Sequence, residues 1–368
     1  MKTKLAVAIV LILVLSGLIA GYNYFIGPIV PVQTGVPSQT EAPSQTGGES
    51  VEAGVNYLET AKAIYSYIET QRKSDGFYVY SSNCNDESCS FFNQSYETGN
   101  TWPAYAAVSL YGATGDGAYL DRARRDADLM IEHCGKDPTE CITVAYQIND
   151  LYAATGDKKY LDFIVSEADA LEAISDEDYL RVTDSSMLFA VDSLQLADAY
   201  KLTGEQRYLD SSLRKLQTID EVFSVEDRKI TVYERDGRKF NVYSCWPELA
   251  RMHLYGATGD AKYLSQAKEF ADGMRVQDNV HQLWFMTDIQ PCIDVYQQLG
   301  AATGDPMYGE GADSMVRHVI AKYWDSSASP KVSGNNAIKS SVDKDHSLIT
   351  DSSYMVYLLS NVRSGVSV

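Results

Sequence analysis

The chain lacks most of the short motifs that announce a chemistry. It has no glycine-rich phosphate loop and no serine-nucleophile elbow. Its six cysteines form no Cys-x-x-Cys pair, and no two of its five histidines stand at metal-ligand spacing, so nothing marks a zinc site. The segment Cys84-Asn-Asp-Glu-Ser-Cys89 is acidic but lacks the regular alternation of oxygen ligands that a calcium loop needs. No metal and no cofactor is expected. Positive charge is also scarce. The 31 Lys and Arg stand against 50 Asp and Glu, for a net charge of −19. That balance argues against a nucleic-acid partner and against adsorption of the folded part to an anionic membrane surface.

Long apolar runs are scarce as well. The one that stands out, residues 5–20, follows Lys2 and Lys4 and extends through 21–26 to the roughly 20 residues that a spanning helix requires. The two lysines keep the N-terminus in the cytoplasm. A cleaved signal peptide is the rival reading, but cleavage after Ala20 would put Leu18 where a small residue is wanted, which favours an uncleaved anchor. Residues 1–26 are therefore expected to be a single-pass anchor in the cell membrane. Residues 27–50, rich in Pro, Gly, Ser, Thr and Gln, are expected to be a flexible spacer, and 51–368 an extracytoplasmic domain. Export suits disulfides. Local pairing would join Cys84 to Cys89, Cys134 to Cys141 and Cys245 to Cys292, among the 15 connectivities six cysteines allow. Asn93-Gln-Ser is a glycosylation sequon.

What is present is a repeat. The stretch Leu110-Tyr-Gly-Ala-Thr-Gly-Asp-Gly-Ala-Tyr-Leu returns four times, with turn threonines at Thr114, Thr155, Thr203, Thr258 and Thr303, spaced by 41, 48, 55 and 45 residues. A unit of that size signals a repeat architecture. Each copy reads as a helix end joined to a helix start. The glycine closes one helix at positive φ, and Asp116, Asp157, Asp260 or Asp305 caps the next, with Glu205 a poorer cap. Helix-boundary chemistry explains these acids, so they are not catalytic candidates.

Apolar periodicity predicts twelve helices. The amphipathic odd ones cover 51–73, 117–133, 158–173, 206–220, 261–276 and 307–323. The even ones cover 100–113, 142–154, 185–202, 247–257, 289–302 and 347–361, and are apolar around most of their circumference, as buried helices are. The alternation of residues 229–243 about Asp236-Gly237 predicts a β-hairpin. Six outer and six inner helices close into an all-α (α/α)6 toroid of six helical hairpins. The recurring Thr-Gly-Asp-x-x-Tyr-Leu turn over residues 51–362 resembles the six-hairpin glycosidase superfamily. That resemblance implies a carbohydrate substrate or ligand and a cleft where the inner helices begin. It specifies the fold and not the reaction.

The connections at that end are long, at 74–99, 134–141, 174–184, 221–243, 277–288 and 324–346, whereas the Thr-Gly-Asp turns at the other end are short. Acids at this mouth are the candidates for general acid and base: Glu97, Asp184, Glu248, Asp288 and Asp351. Asp184, Asp288 and Asp351 also suit helix N-caps. Tyr96, Trp102, Trp246 and Trp284 are placed to stack on sugars, although tryptophan in such a barrel is more often core. His281 and His346 fall in mouth connections and suit substrate binding or proton transfer. Asp150, Asp192 and Asp294 lie within inner helices, where an inward orientation would give them interest. His253 reads as a core group. The expected function is a glycoside hydrolase. A glycan-binding or scaffold barrel without catalysis is the alternative, and a sugar epimerase or polysaccharide lyase is a third reading.

Overall fold

The computed structural model describes residues 56–78, 81–82, 101–135, 145–180, 186–223, 230–235, 238–242, 244–276, 286–325, 337–338 and 347–361. The expected anchor, spacer and sequon lie outside them. No described helix is long and apolar enough to cross a membrane.

Thirteen α-helices are present among the described residues. Six are outer: α1 (Tyr57–Thr70), α3 (Gly117–Cys134), α5 (Lys158–Glu172), α8 (Gln206–Thr218), α10 (Ala261–Val276) and α12 (Pro306–Tyr323). Six are inner: α2 (Thr101–Thr114), α4 (Asn149–Thr155), α7 (Ser186–Thr203), α9 (Trp246–Thr258), α11 (Met286–Thr303) and α13 (Ile349–Asn361). The remaining one, α6 (Asp176–Leu180), is a short helix in the α5–α7 connection that periodicity did not announce. Inner helix α4 also departs from expectation. It is preceded by a 3-10 turn, Ala145–Ile148, where buried Gln147 bonds Thr101 at the start of α2. Each inner helix neighbours the next, and α13 packs against both α2 and α1, so the ring closes. The closing seam is aromatic. Tyr105 stacks on Tyr357 with ring centroids 4.4 Å apart, and Trp102 lies 5.5 Å from Tyr354.

The Thr-Gly-Asp turn is built as its residues require. Gly156 takes φ +64°, a conformation that a Cβ would strain, and its N–H donates to the Tyr152 carbonyl at 2.8 Å. The Thr155 hydroxyl donates back to the Leu151 carbonyl at 2.7 Å and accepts the Asp157 N–H at 3.2 Å. Asp157 then caps α5 through the Lys159 N–H. The same bonds recur at the other turns, except that Glu205 makes no side-chain cap bond. The turn tyrosine explains the rest of the repeat. Tyr160, Tyr208 and Tyr308 donate their hydroxyls to Asp128, Asp169 and Asp272 on the preceding outer helix, at 3.2, 2.6 and 2.7 Å. Tyr57 bonds Asp313 in the same manner, tying α1 to α12.

The long connections at the opposite end carry three small antiparallel ladders. The predicted hairpin is present, as β2 (Ile230–Arg235) and β3 (Arg238–Val242), and β2 lies against α7. Ser81–Ser82 (β1) pairs with Ser347–Leu348 (β6), lacing the first connection to the last. Trp324–Asp325 (β4), directly after the last outer helix, pairs with Ala337–Ile338 (β5). The expected Cys245–Cys292 disulfide joins α9 to α11 near their mouth ends, with Cα atoms 5.0 Å apart. Cys134 is disulfide-bonded too. Cys84, Cys89 and Cys141 lie outside the described residues.

Candidate functional site

The mouth is the end where the inner helices begin. Glu97, Asp184, Tyr96, Trp284, His281 and His346 lie outside the described residues. Asp288 and Asp351 are the third residues of α11 and α13. Helix α11 starts three residues earlier than expected and α13 two residues later, and both acids lie inside their helices, so neither is an N-cap. An acid in the first turn is a position that the helix dipole favours. Glu248 is likewise the third residue, of α9. Three neighbouring inner helices thus carry an acid at the same position.

Glu248 is the member whose side chain is described. It is buried, and its Oε1 accepts from Arg251 Nη1 at 2.6 Å. Arg251 Nη2 donates to Asp220 Oδ1, also at 2.6 Å, on the π-helical extension Ile219–Phe223 of α8. Burial alone would lower the proton affinity of Arg251, and the charges of Glu248 and Asp220 outweigh that and raise it. The chain therefore holds Glu248 in a fixed ion pair. Trp102 and Trp246 stand in the first turns of α2 and α9 as expected, but they are 1% and 0% exposed. Their rings fill the core, which corrects the expectation that they stack on sugars. An apolar ring of that size contributes more when packed between helices than when left at a solvent edge.

Deeper in the barrel lies a cluster that motif reading did not select. Its members share one register. Ser109, Asp150, Asp198, His253 and Gln298 each stand five residues before their turn threonine. In otherwise apolar inner helices, a polar residue at one level in five repeats was a legible signal. Two of them, Asp198 and His253, meet across helices. Asp198 is at the centre, with Oδ1 2.8 Å from His253 Nδ1 and Oδ2 accepting from Asn149 Nδ2 at 2.7 Å. With the His253 proton on Nδ1, Nε2 is left as a buried acceptor. Among the described residues nothing bonds it or Asn149 Oδ1. Asp294 lies four residues earlier in its own helix, about 6 Å nearer the mouth. It accepts from Tyr354 at 3.1 Å and from Gln298 at 3.3 Å.

Burial shapes the charges here. It pushes the Asp150 carboxyl up to about 7, with the neighbouring charge of Asp198 adding and Lys201 opposing. Burial also raises Asp294 well above the carboxylate range, against the opposing bonds from Gln298 and Tyr354. On the outer helix α5, burial alone lifts Glu167 to about 8. Asp150 and Asp294 are thus acids that hold protons near neutral pH, contributed by two different inner helices. Among the described residues no group of three or more His, Cys, Asp or Glu is arranged to hold a metal ion.

A closed ring of six helical hairpins with short turns at one end, long connections at the other and buried acids between is an (α/α)6 toroid. No protein-family model matches the chain, and no curated protein matches its sequence. Its likeness is to solved structures. The Lin0763 protein of Listeria innocua is similar over 83% of this chain and 97% of its own, with a TM-score of 0.65 and 14% identity. An unsaturated glucuronyl hydrolase specific for heparin matches over 84% and 97%, at TM-score 0.63 and 12% identity. A family 76 glycoside hydrolase from a bovine Bacteroides thetaiotaomicron strain matches over 83% and 77%, at TM-score 0.62 and 15% identity. At such identities the likeness defines the fold alone.

Proposed function

We propose that the protein is a membrane-anchored extracytoplasmic carbohydrate-active enzyme, a glycoside hydrolase. It binds glycan across the face where the inner helices begin and uses carboxyl groups of those helices as general acid and base. One observation carries the reading: Glu248, Asp288 and Asp351 occupy the same first-turn position on three adjacent inner helices. Glycoside hydrolysis needs two carboxyls flanking one bond, one of them holding its proton. A rim of acids, with proton-bearing Asp150 and Asp294 beneath it, meets that need. Glu97 and Asp184 complete the set of mouth acids, and Tyr96, Trp284, His281 and His346 are the proposed sugar contacts from the connections. Structures of the same fold include a Salegentibacter α-1,6-mannanase in complex with α-1,6-mannotriose, so α-mannosides and uronyl oligosaccharides are the first substrates to try.

The pairing of Glu248 with Arg251 favours a second reading, a glycan-binding barrel without catalysis, because an acid held in an ion pair is less available for proton transfer. The test is the full chain in detergent micelles, incubated with a glycan panel while products and binding are followed together. Turnover that falls at least a hundredfold in Asp288→Asn or Asp351→Asn supports the enzyme. Binding without product, unaffected by those changes, supports the second reading.

A further inference from the structure

We propose that Asn149, Asp198 and His253 form a hydroxyl-binding site on the axis of the barrel, with His253 Nε2 and Asn149 Oδ1 as its acceptors. Taking that hydroxyl to be a sugar's rests on the glycosidase reading above; the site itself does not.

One carboxylate builds the site. Asp198 of α7 meets His253 of α9 at Oδ1, 2.8 Å away, and Asn149 of α4 at Oδ2, 2.7 Å away. Helices α4 and α9 come before and after α7 in the inner ring, so a residue that reaches both stands on the face turned to the barrel axis. All three side chains are buried, none more than 4% exposed. A carboxylate only accepts, so His253 Nδ1 and Asn149 Nδ2 both donate to it, and each side chain keeps one acceptor. At the same level Ser109 donates to the Tyr105 carbonyl and Gln298 to Asp294, each within its own helix. Among the described residues no donor reaches His253 Nε2 or Asn149 Oδ1. The unmet bonding capacity of this level is therefore all acceptor. Buried polar atoms in folded proteins are bonded, by protein, water or a ligand group. The occupant that fits brings O–H donors and carries no negative charge, because the carboxylate of Asp198 would repel an anion. His253 follows Glu248 by five residues on α9, about 7.5 Å deeper from the mouth. A sugar ring lowered past the mouth acids brings its hydroxyls to that depth, and water is the other source of the same donor.

The test is nitrogen-15 NMR of the full chain in detergent, labelled at histidine. His133, His281, His318 and His346 are each identified by a Gln variant, which leaves the fifth imidazole as that of His253 with the site untouched. In neutral buffer the expected state has the proton on Nδ1 and none on Nε2, and a proton on Nε2 overturns the proposal. The probes are α-1,6-mannotriose and a glucuronate disaccharide, added in turn. Movement of the Nε2 resonance on saturation, with binding weakened about tenfold in His253→Asn, assigns the site to a sugar hydroxyl. Asparagine keeps a donor near the place of Nδ1 and removes the acceptor. An unmoved Nε2 resonance that cross-relaxes with a long-lived water assigns the site to water and refutes the sugar. An unmoved resonance without such a water overturns the proposal. Should His253→Asn fail to fold, the wild-type resonance decides between these outcomes without it. If the protein binds no glycan, the glycosidase reading fails and the water measurement alone decides the site.

Discussion

The outer seams and the barrel interior answer the same repeat in opposite ways. Along the outer ring three of the turn seams are closed by one device used repeatedly. A turn tyrosine donates to an aspartate on the preceding helix, at Tyr160–Asp128, Tyr208–Asp169 and Tyr308–Asp272. In the interior one register holds Ser109, Asp150, Asp198, His253 and Gln298, four residue types at five equivalent positions, and Asp198 bonds His253 across two helices. Stacking hairpins is one mechanical problem solved once per repeat. A cluster that must bring different groups to one place needs a different residue from each helix. Departure from the repeat, at a position where the repeat is otherwise strict, is therefore the mark of the site.

The strongest way to break this contrast is Asp198→Ala. It strips partners from a buried imidazole and a buried amide at once, and a loss of about 3 kcal/mol is expected by urea denaturation. Next comes pH. The folded-state carboxyls of Asp150 and Glu167 sit near 7 and 8, against about 4 when the chain is unfolded. Between those values the folded form holds protons that the unfolded chain has released, so stability is full below about pH 4 and falls as pH rises through 7 to 8. The melting temperature is expected to drop from pH 5 to pH 8. Glu167→Gln should flatten part of that slope. A melting temperature that rises over this range would contradict the raised proton affinity of both groups. Smaller effects belong to the outer turns. Gly156→Ala, at φ +64°, is expected to cost about 1 kcal/mol, and Asp157→Ala, which removes a cap, about the same.

The two regions also differed in how far they could be read from the sequence. Thr-Gly-Asp turns and the hairpin about Asp236-Gly237 depend on local backbone preferences, so Gly156 and Asp157 declared their roles directly. The burial of Trp102 depends on α13 and the ring closure, which bring Tyr354 against it from the other end of the chain, and residue type alone does not report that. Inner helix α4 was expected as one continuous helix. The contact between Gln147 and Thr101, 46 residues away, goes with its tightened first turn. The common third position of the acids of α9, α11 and α13 depends on helix starts that differ from the expected ones by one to three residues, earlier for α9 and α11 and later for α13. Asp198 and His253 were passed over because each looked like an isolated polar residue in an apolar helix. Aligning the repeats on their threonines would have brought them together.

Glu205→Asp sharpens the comparison with the smallest change. Glu205 begins α8 at the position where Asp116, Asp157, Asp260 and Asp305 cap their helices, yet its longer side chain makes no bond to the α8 backbone. Instead it pairs with Arg207 at 2.8 Å. That pair is exposed and screened, so it contributes little, and Arg207 keeps Asp169 as a second partner. Shortening the side chain by one methylene restores the cap geometry seen at the other four turns. A net gain of about 0.5 kcal/mol is expected, measured as a higher urea midpoint with an unchanged slope. A residue borrowed from another repeat should improve this turn, because the outer positions are interchangeable. The same borrowing in the interior, Asp198→His after the fourth repeat, should destabilise the fold, because there the repeats have ceased to be copies.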